Sequence, residues 1–155
     1  MPGGVRILPV DASNAGSWCA MRREMGPGWL TDDFEALAAE YLATGRVQRL
    51  PHLVVLAVGE GEEALGFAEV SLREYAEGCL SSPVGYLEGW FVAPAARGRG
   101  VGRLLVRACE RWAADRGCTE FASDAELENG VSLRAHAALG FEAVADVRLF
   151  RKPIG

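Results

Sequence analysis

Apolar positions along the chain recur at two spacings, and the elements they predict alternate between strand and helix. Val5 to Val10 reads as a first strand. Asp11 is placed to cap a helix running to about Met25, which the Gly-Pro-Gly-Trp run from Gly26 to Trp29 breaks. Asp32 and Glu35 form a capping box, and Phe34, Leu37, Ala38 and Tyr41 follow at helical spacing. His52 to Val58 reads as a buried strand, Gly59 to Glu63 as a tight turn, and Leu65 to Leu72 as the returning arm of a hairpin. A loop rich in Gly, Ser and Pro from about Glu77 to Gly85 leads into a strand from Tyr86 to Val92. Gly100 to Arg116 is the clearest helix: Val101, Leu104, Leu105, Ala108 and Trp112 make one apolar stripe, and Gly117 ends it. Phe121 to Ser123 then reads as a short strand, Asn129 to Leu139 as a helix, and Phe141 to Lys152 as one or two final strands. This alternation, free of repeats and linkers, predicts one mixed α/β domain over residues 1–155.

Composition narrows the class. The chain has 155 residues, enough for one domain with its own core. Half are hydrophobic and 24% are charged, an ordinary globular mix that excludes disorder. No apolar run approaches the roughly 20 residues of a membrane span. The start, Met1 to Val10, lacks the long apolar core of a signal peptide, so a cytoplasmic protein with no membrane partner is expected. A net charge of −5 argues against nucleic acid and suits a cationic small molecule. The four cysteines form no C-x-x-C pair and there are only two histidines, so reduced thiols and no metal are expected. Cys79 has no visible activating base and reads as inert.

The chemistry concentrates in Tyr86 to Val106. A strand enters, Pro94 stops it, and Arg97-Gly98-Arg99-Gly100-Val101-Gly102 opens a helix. Glycines let backbone N–H groups approach a ligand, and a helix N-terminus favours phosphate. Arg97 and Arg99 can add charge-assisted bonds. The dinucleotide fingerprint fails because its third glycine comes one residue early, and a Walker A loop fails for want of lysine. A glycine turn with surface arginines is the plain alternative.

R-G-x-G-x-G resembles the pyrophosphate-binding motif of the GNAT superfamily of N-acetyltransferases. Glu128 to Phe141 is similar to the same superfamily's C-terminal motif, with Asn129 opening a helix and Gly140-Phe141 closing it. The resemblance implies a GNAT fold, a mixed central sheet of six to seven strands flanked by about four helices. It implies acetyl-CoA as cosubstrate, held by Phe91, Val92, Arg97, Gly98, Arg99, Gly100, Val101, Gly102, Asn129 and His136. His136 stands where many members carry a tyrosine that protonates the leaving thiolate. It is read either as that donor or as a residue packing on the cofactor arm.

The stretches Arg73–Gly102, Glu120–Glu142, Arg22–Asp33 and Val147–Pro153 are similar to the aminoglycoside 6'-N-acetyltransferases. That likeness implies acetyl transfer to the 6'-amine of an aminoglycoside, and a homodimer. It implies Tyr75, Glu88 and Asp124 as the substrate site, with Trp29 either standing in for the pattern's tryptophan from the other side of the turn or marking a different substrate preference. Gly26 departs from the pattern, which has tryptophan there, and Trp29 is the nearest indole. Strand alternation puts Tyr86, Glu88, Trp90 and Val92 on one face, where a charged residue needs a partner. Glu88 is the expected general base and Asp124 the anchor or alternate base; a structural ion pair is the other reading of Glu88. Another amine acceptor, or an acyl-CoA sensor without turnover, remains an alternative function.

Overall fold

Residues Val54 to Gly59 and Leu65 to Ser71 are buried without a break. Such runs suit central strands covered on both faces, and the architecture follows from them. The structure, a computed structural model, describes residues 4–26 and 34–155. Its elements in chain order are β1 (Arg6–Pro9), α1 (Ala15–Met25), α2 (Phe34–Thr44), β2 (Arg46–Val47), β3 (Leu50–Val58), β4 (Ala64–Arg73), β5 (Val84–Val92), α3 (Val101–Ala114), β6 (Phe121–Ser123) and α4 (Gly130–Ala138). The six-stranded sheet runs β1-β3-β4-β5-β6, with β2 pairing to β3 beside that path. β1, β3, β4 and β5 are antiparallel neighbours, and β6 runs parallel to β5.

The two larger cores lie one on each face, beside a small cluster of Ala76, Val84 and Tyr86. On one, Val101, Leu105, Val106 and Cys109 of α3 pack on Val55, Ala57, Ala68, Val70 and Leu87. On the other, Trp18, Met21, Phe34, Ala38 and Tyr41 of α1 and α2 cover Val54, Leu56, Phe67 and Phe91. Trp18 presents its edge to Phe34 and to Tyr41. The Tyr41 hydroxyl accepts the Val54 N–H at 3.0 Å, which satisfies a buried backbone donor.

The sequence reading holds for most elements. Asn14, rather than Asp11, precedes α1; Asp11 accepts bonds from Ser13 and closes the turn before the helix. β2 is too short for a periodic signal and was not expected. Asp32 of the expected capping box and Trp29 lie outside the described residues. The final strands read at Phe141 to Lys152 are not formed: residues 141–155 have no regular structure, and Leu149 and Phe150 are 89% and 88% exposed. Apolar alternation gives a strand only when a ladder partner is present, and among the described residues this segment pairs with no strand.

Two irregularities in β5 decide the rest. Glu69 pairs with Gly89 and Val70 with Leu87, so Glu88 is an extra residue, a β-bulge. Pairing of β5 with β6 covers only Gly85–Phe121, Tyr86–Ala122 and Leu87–Ser123, although β5 continues to Val92. On its other side β5 sits tightly on β4. A Cβ at Gly66 would lie 2.4 Å from the Phe91 carbonyl oxygen and 3.1 Å from the Val92 Cα. Because the obstacle is backbone, Gly66→Ala is expected to destabilise the fold by about 1–3 kcal/mol, read as a lower urea midpoint.

Candidate active site

Where β6 leaves it, one edge of β5 lies open. The Ala93 N–H donates to the Leu65 carbonyl at 2.8 Å, so alternation turns the Phe91 amide toward β4 and those of Trp90 and Val92 toward the gap. Phe91 itself packs on Phe67, with ring centroids 6.0 Å apart. The gap widens into a cleft of about 160 Å³ lined by Glu88, Gly89, Trp90, Ser123, Asp124, Asn129 and His136, among others.

One end of β5 leads to the glycine loop. Pro94–Ala96 forms a single 3-10 turn. Gly98 and Gly100 follow at φ 77° and 79°, a left-handed conformation that a side chain disfavours. Nothing lies within 4 Å of a Cβ added at Gly98, so its surroundings are open. Val101, fully buried, begins α3, and a Cβ at Gly102 would meet the Trp90 ring at 3.1 Å. Arg97 donates through Nε to the Val92 carbonyl at 2.9 Å, which ties the loop to the strand end. The rest of its guanidinium and Arg99 are exposed beside the loop. Open backbone donors, a helix start and two cations fit a pyrophosphate with an extended arm lying along β5. Trp90 was not expected to contribute here, yet its Nε1 is buried without a hydrogen-bond partner among the described residues.

The bulge corrects the expected face. Tyr86 and Glu88 stay together, but Trp90 and Val92 turn to the α3 side, where both pack on its core. Glu88 accepts from Arg73 Nε at 3.0 Å, Arg73 Nη2 at 2.7 Å and Ser71 Oγ at 2.6 Å. Asp124 accepts the Tyr86 hydroxyl at 2.6 Å. Burial, with Asp124 beside it, pushes the Tyr86 phenol well above its ordinary value. Tyr75 is 66% exposed on the loop after β4 and does not line the cleft. The Cys79 thiol is pushed up by burial and by Glu120, in keeping with an inert residue.

Asn129 caps α4, its Oδ1 accepting the Ser132 N–H at 3.1 Å, and this aligns its side chain with the cleft wall. His136 lies between the rings of Trp90 and Phe141, at 5.3 and 5.1 Å. Its Nδ1 is 2.7 Å from the Ser132 carbonyl, which can only accept, so the neutral ring carries its proton there. Nε2 then accepts from the Ser123 hydroxyl at 2.8 Å. Ser71, Arg73, Ser123 and Ser132 were not singled out in the sequence. For the first two, the signal was period two: Ser71 and Arg73 share a strand face, opposite Tyr86 and Val84.

Residues 17–141 match the acetyltransferase (GNAT) family. The chain belongs to this family. It is 51% identical over 96% of its length to an aminoglycoside N(6')-acetyltransferase type 1 of Klebsiella aerogenes, 96% of which is covered. A protein of the same name from Stenotrophomonas maltophilia is 41% identical, with 96% of this chain and 93% of the relative covered. Among solved structures, AAC(6')-Iy in complex with the bisubstrate analogue CoA-S-monomethyl-acetylneamine superposes with a TM-score of 0.87 at 36% identity, covering 97% of this chain and 99% of that one. AAC(6')-Ih from Acinetobacter baumannii gives 0.82 at 35%, covering 98% and 100%. The six-stranded mixed sheet and four helices are thus the GNAT fold.

Within this GNAT site the Tyr86–Asp124 bond is open to a direct test. The bond is half-buried, with Tyr86 covered and Asp124 exposed, and a hydrogen bond of this kind contributes about 0.5–1.5 kcal/mol, so Tyr86→Phe should lower stability by about that much. Because the phenol is raised in the folded state, its contribution is complete below the ordinary value near 10 and fades as pH rises above it. Urea unfolding of both proteins at pH 7 to 11 should show their stabilities converging at the alkaline end.

Proposed function

We propose that this chain transfers the acetyl group of acetyl-CoA to a primary amine, the 6'-amine of an aminoglycoside. The carrying observation is the parting of β5 and β6 at Leu87, with the glycine loop at one end and Glu88 and Asp124 beside it. The nitrogen lone pair attacks the thioester carbonyl, the C–N bond forms, the C–S bond breaks, and the amine loses a proton. The Val92 N–H, facing the gap, suits the developing oxyanion. Glu88 and Asp124 hold the cationic acceptor and receive its proton, Glu88 through water. Holding both reactants on one edge supplies much of the rate gain through proximity. We assign His136 to the wall of the arm's channel, where it holds Ser123. Arg97 and Arg99, with Gly98 to Gly102, take the pyrophosphate, and Asn129 the arm. Tyr75 and Trp29 remain assigned to the acceptor side.

We read residues 1–155 as one catalytic domain of a cytoplasmic protein; among the described residues no helix is long and apolar enough to cross a membrane. Relatives named for aminoglycoside acetylation, at up to 51% identity, support the acceptor. The open outer edge of β6 and the exposed apolar arm after Phe141 support a homodimer in which a second copy covers them.

Purified protein should release thiol from acetyl-CoA with 6'-amino aminoglycosides and not with their 6'-hydroxyl counterparts. Turnover with a polyamine alone would replace the acceptor and keep the reaction. Glu88→Ala and Asp124→Ala should each lower turnover at least about tenfold with acetyl-CoA binding kept. Arg97→Ala should raise the KM for acetyl-CoA about fivefold. For the dimer, removal of residues 143–155 should leave a monomer by sedimentation; an unchanged dimer would place the interface elsewhere.

A further inference from the structure

Arg73 ends β4 on the face that also carries Ser71, Tyr86 and Glu88. Its guanidinium holds both Glu88 oxygens, through Nε at 3.0 Å and Nη2 at 2.7 Å. The same guanidinium lies 3.6 Å from the centroid of the Tyr86 ring. The Tyr86 hydroxyl in turn donates to Asp124. One cation thus grips one carboxylate of the cleft and braces the phenol that holds the other.

The bulge explains the need. Glu88 has no partner across β4, so the ladder does not fix its direction. Two carboxylates facing one cleft repel each other, and each alone would swing toward water. With Arg73 and Ser71 in place, Glu88 accepts three hydrogen bonds. A carboxylate offers about four lone-pair sites, so it keeps room for an incoming ammonium. The arrangement needs a flat, forked cation that pairs at its edge and stacks on its face, which lysine cannot supply.

We infer that Arg73 is a positioning residue that sets Glu88 and Asp124 at a fixed spacing for an acceptor bearing more than one ammonium. The inference rests on the acceptor site proposed above. Arg73 itself does not touch the reacting atoms; it acts through Glu88 directly and through Tyr86 on Asp124. A purely structural ion pair between β4 and β5 would instead affect stability without singling out the acceptor.

The test uses the full chain as wild type, Arg73→Ala, Arg73→Lys and the double variant Arg73→Ala/Glu88→Gln. Neamine serves as acceptor, and KM and kcat are measured for both substrates beside thermal melts. Arg73→Ala is expected to raise the KM for neamine about tenfold while that for acetyl-CoA stays within about twofold. Guanidinium chloride at about 20 mM should recover at least half of the loss, since Arg73 is 37% exposed and its place is reachable. The same concentration of sodium chloride should not, and lysine should restore little. A folded Arg73→Ala protein with an unchanged KM for neamine would overturn the inference, as would a loss that guanidinium leaves untouched. The melts check that each variant is folded: removing Arg73 strands the half-buried Glu88 carboxylate, so adding Glu88→Gln should raise the Tm of Arg73→Ala, as it would for a purely structural pair. If wild type fails to acetylate neamine, the acceptor reading falls and takes the inference with it. A wild type that acetylates neamine, beside a folded Arg73→Ala with the same KM, overturns the inference alone.

Discussion

Beyond Leu87, β5 has, among the described residues, a strand neighbour on one edge only. An open backbone edge in a protein interior leaves donors and acceptors that something must satisfy. Here the open stretch runs from Glu88 to Val92 and ends where Pro94 begins the turn to the glycine loop. A ligand with its own amides can lie along such an edge as an added strand does. The pantetheine arm of acetyl-CoA has that character, so under the proposed function one missing strand pair both makes the slot and selects what fits it.

Under the proposed function, the bulge at Glu88 lets the same stretch serve two substrates. Without it, alternation would send Glu88 and Trp90 to one face. With it, Glu88 turns to the side of Arg73 and Asp124, and Trp90 turns under the start of α3. Such a strand needs firm support behind it. Phe91 on Phe67 gives one part. The other is a buried charge: Glu69 accepts the Trp18 Nε1 at 2.9 Å and pairs with Arg22 at 3.2 Å. Its carboxyl is pushed up by burial, with Arg22 opposing. The pair passes through the space that Gly89 leaves, where a Cβ would lie 2.4 Å from Glu69 Oε1. A buried ion pair is weak evidence of stability but specifies position strongly when one partner comes from each layer. Here α1, whose last residue Met25 lines the cleft, is tied to the bulged part of the sheet.

Much of this was legible in the residues. The stripe of α3, the glycine loop before it, the Asn129 cap and the hairpin of β3 and β4 each carry a local signal, and each formed nearly where it was read. The bulge was not legible, because one extra residue leaves no mark in a pattern of period two. It can be seen only from the partner strand, through the jump from Gly89 to Leu87 opposite Glu69 and Val70. Arg73 was missed for a related reason. An arginine at a strand end reads as solvated surface until the strand opposite presents a carboxylate and a ring. The need of Glu88 for a partner was visible; which partner it takes is a fact of register.

The arm after Phe141 shows the limit from the other side. Val147 and Leu149 alternate with Arg148, so the strand reading was sound as a statement of propensity, yet the single chain forms none. Both hold if the ladder comes from outside. β6 ends the sheet with its outer edge open, while Leu149, Phe150 and Ile154 stand nearly fully exposed. α4 also buries no residue of its own, and Val131 and Leu133 on it are exposed. An open edge, a bare helix face and an apolar arm lie together in the last third of the chain, beside the helix that carries Asn129 and His136. Under the homodimer reading one partner surface covers all three. The cofactor wall would then be braced from behind by a second subunit, so assembly and catalysis would draw on the same helix.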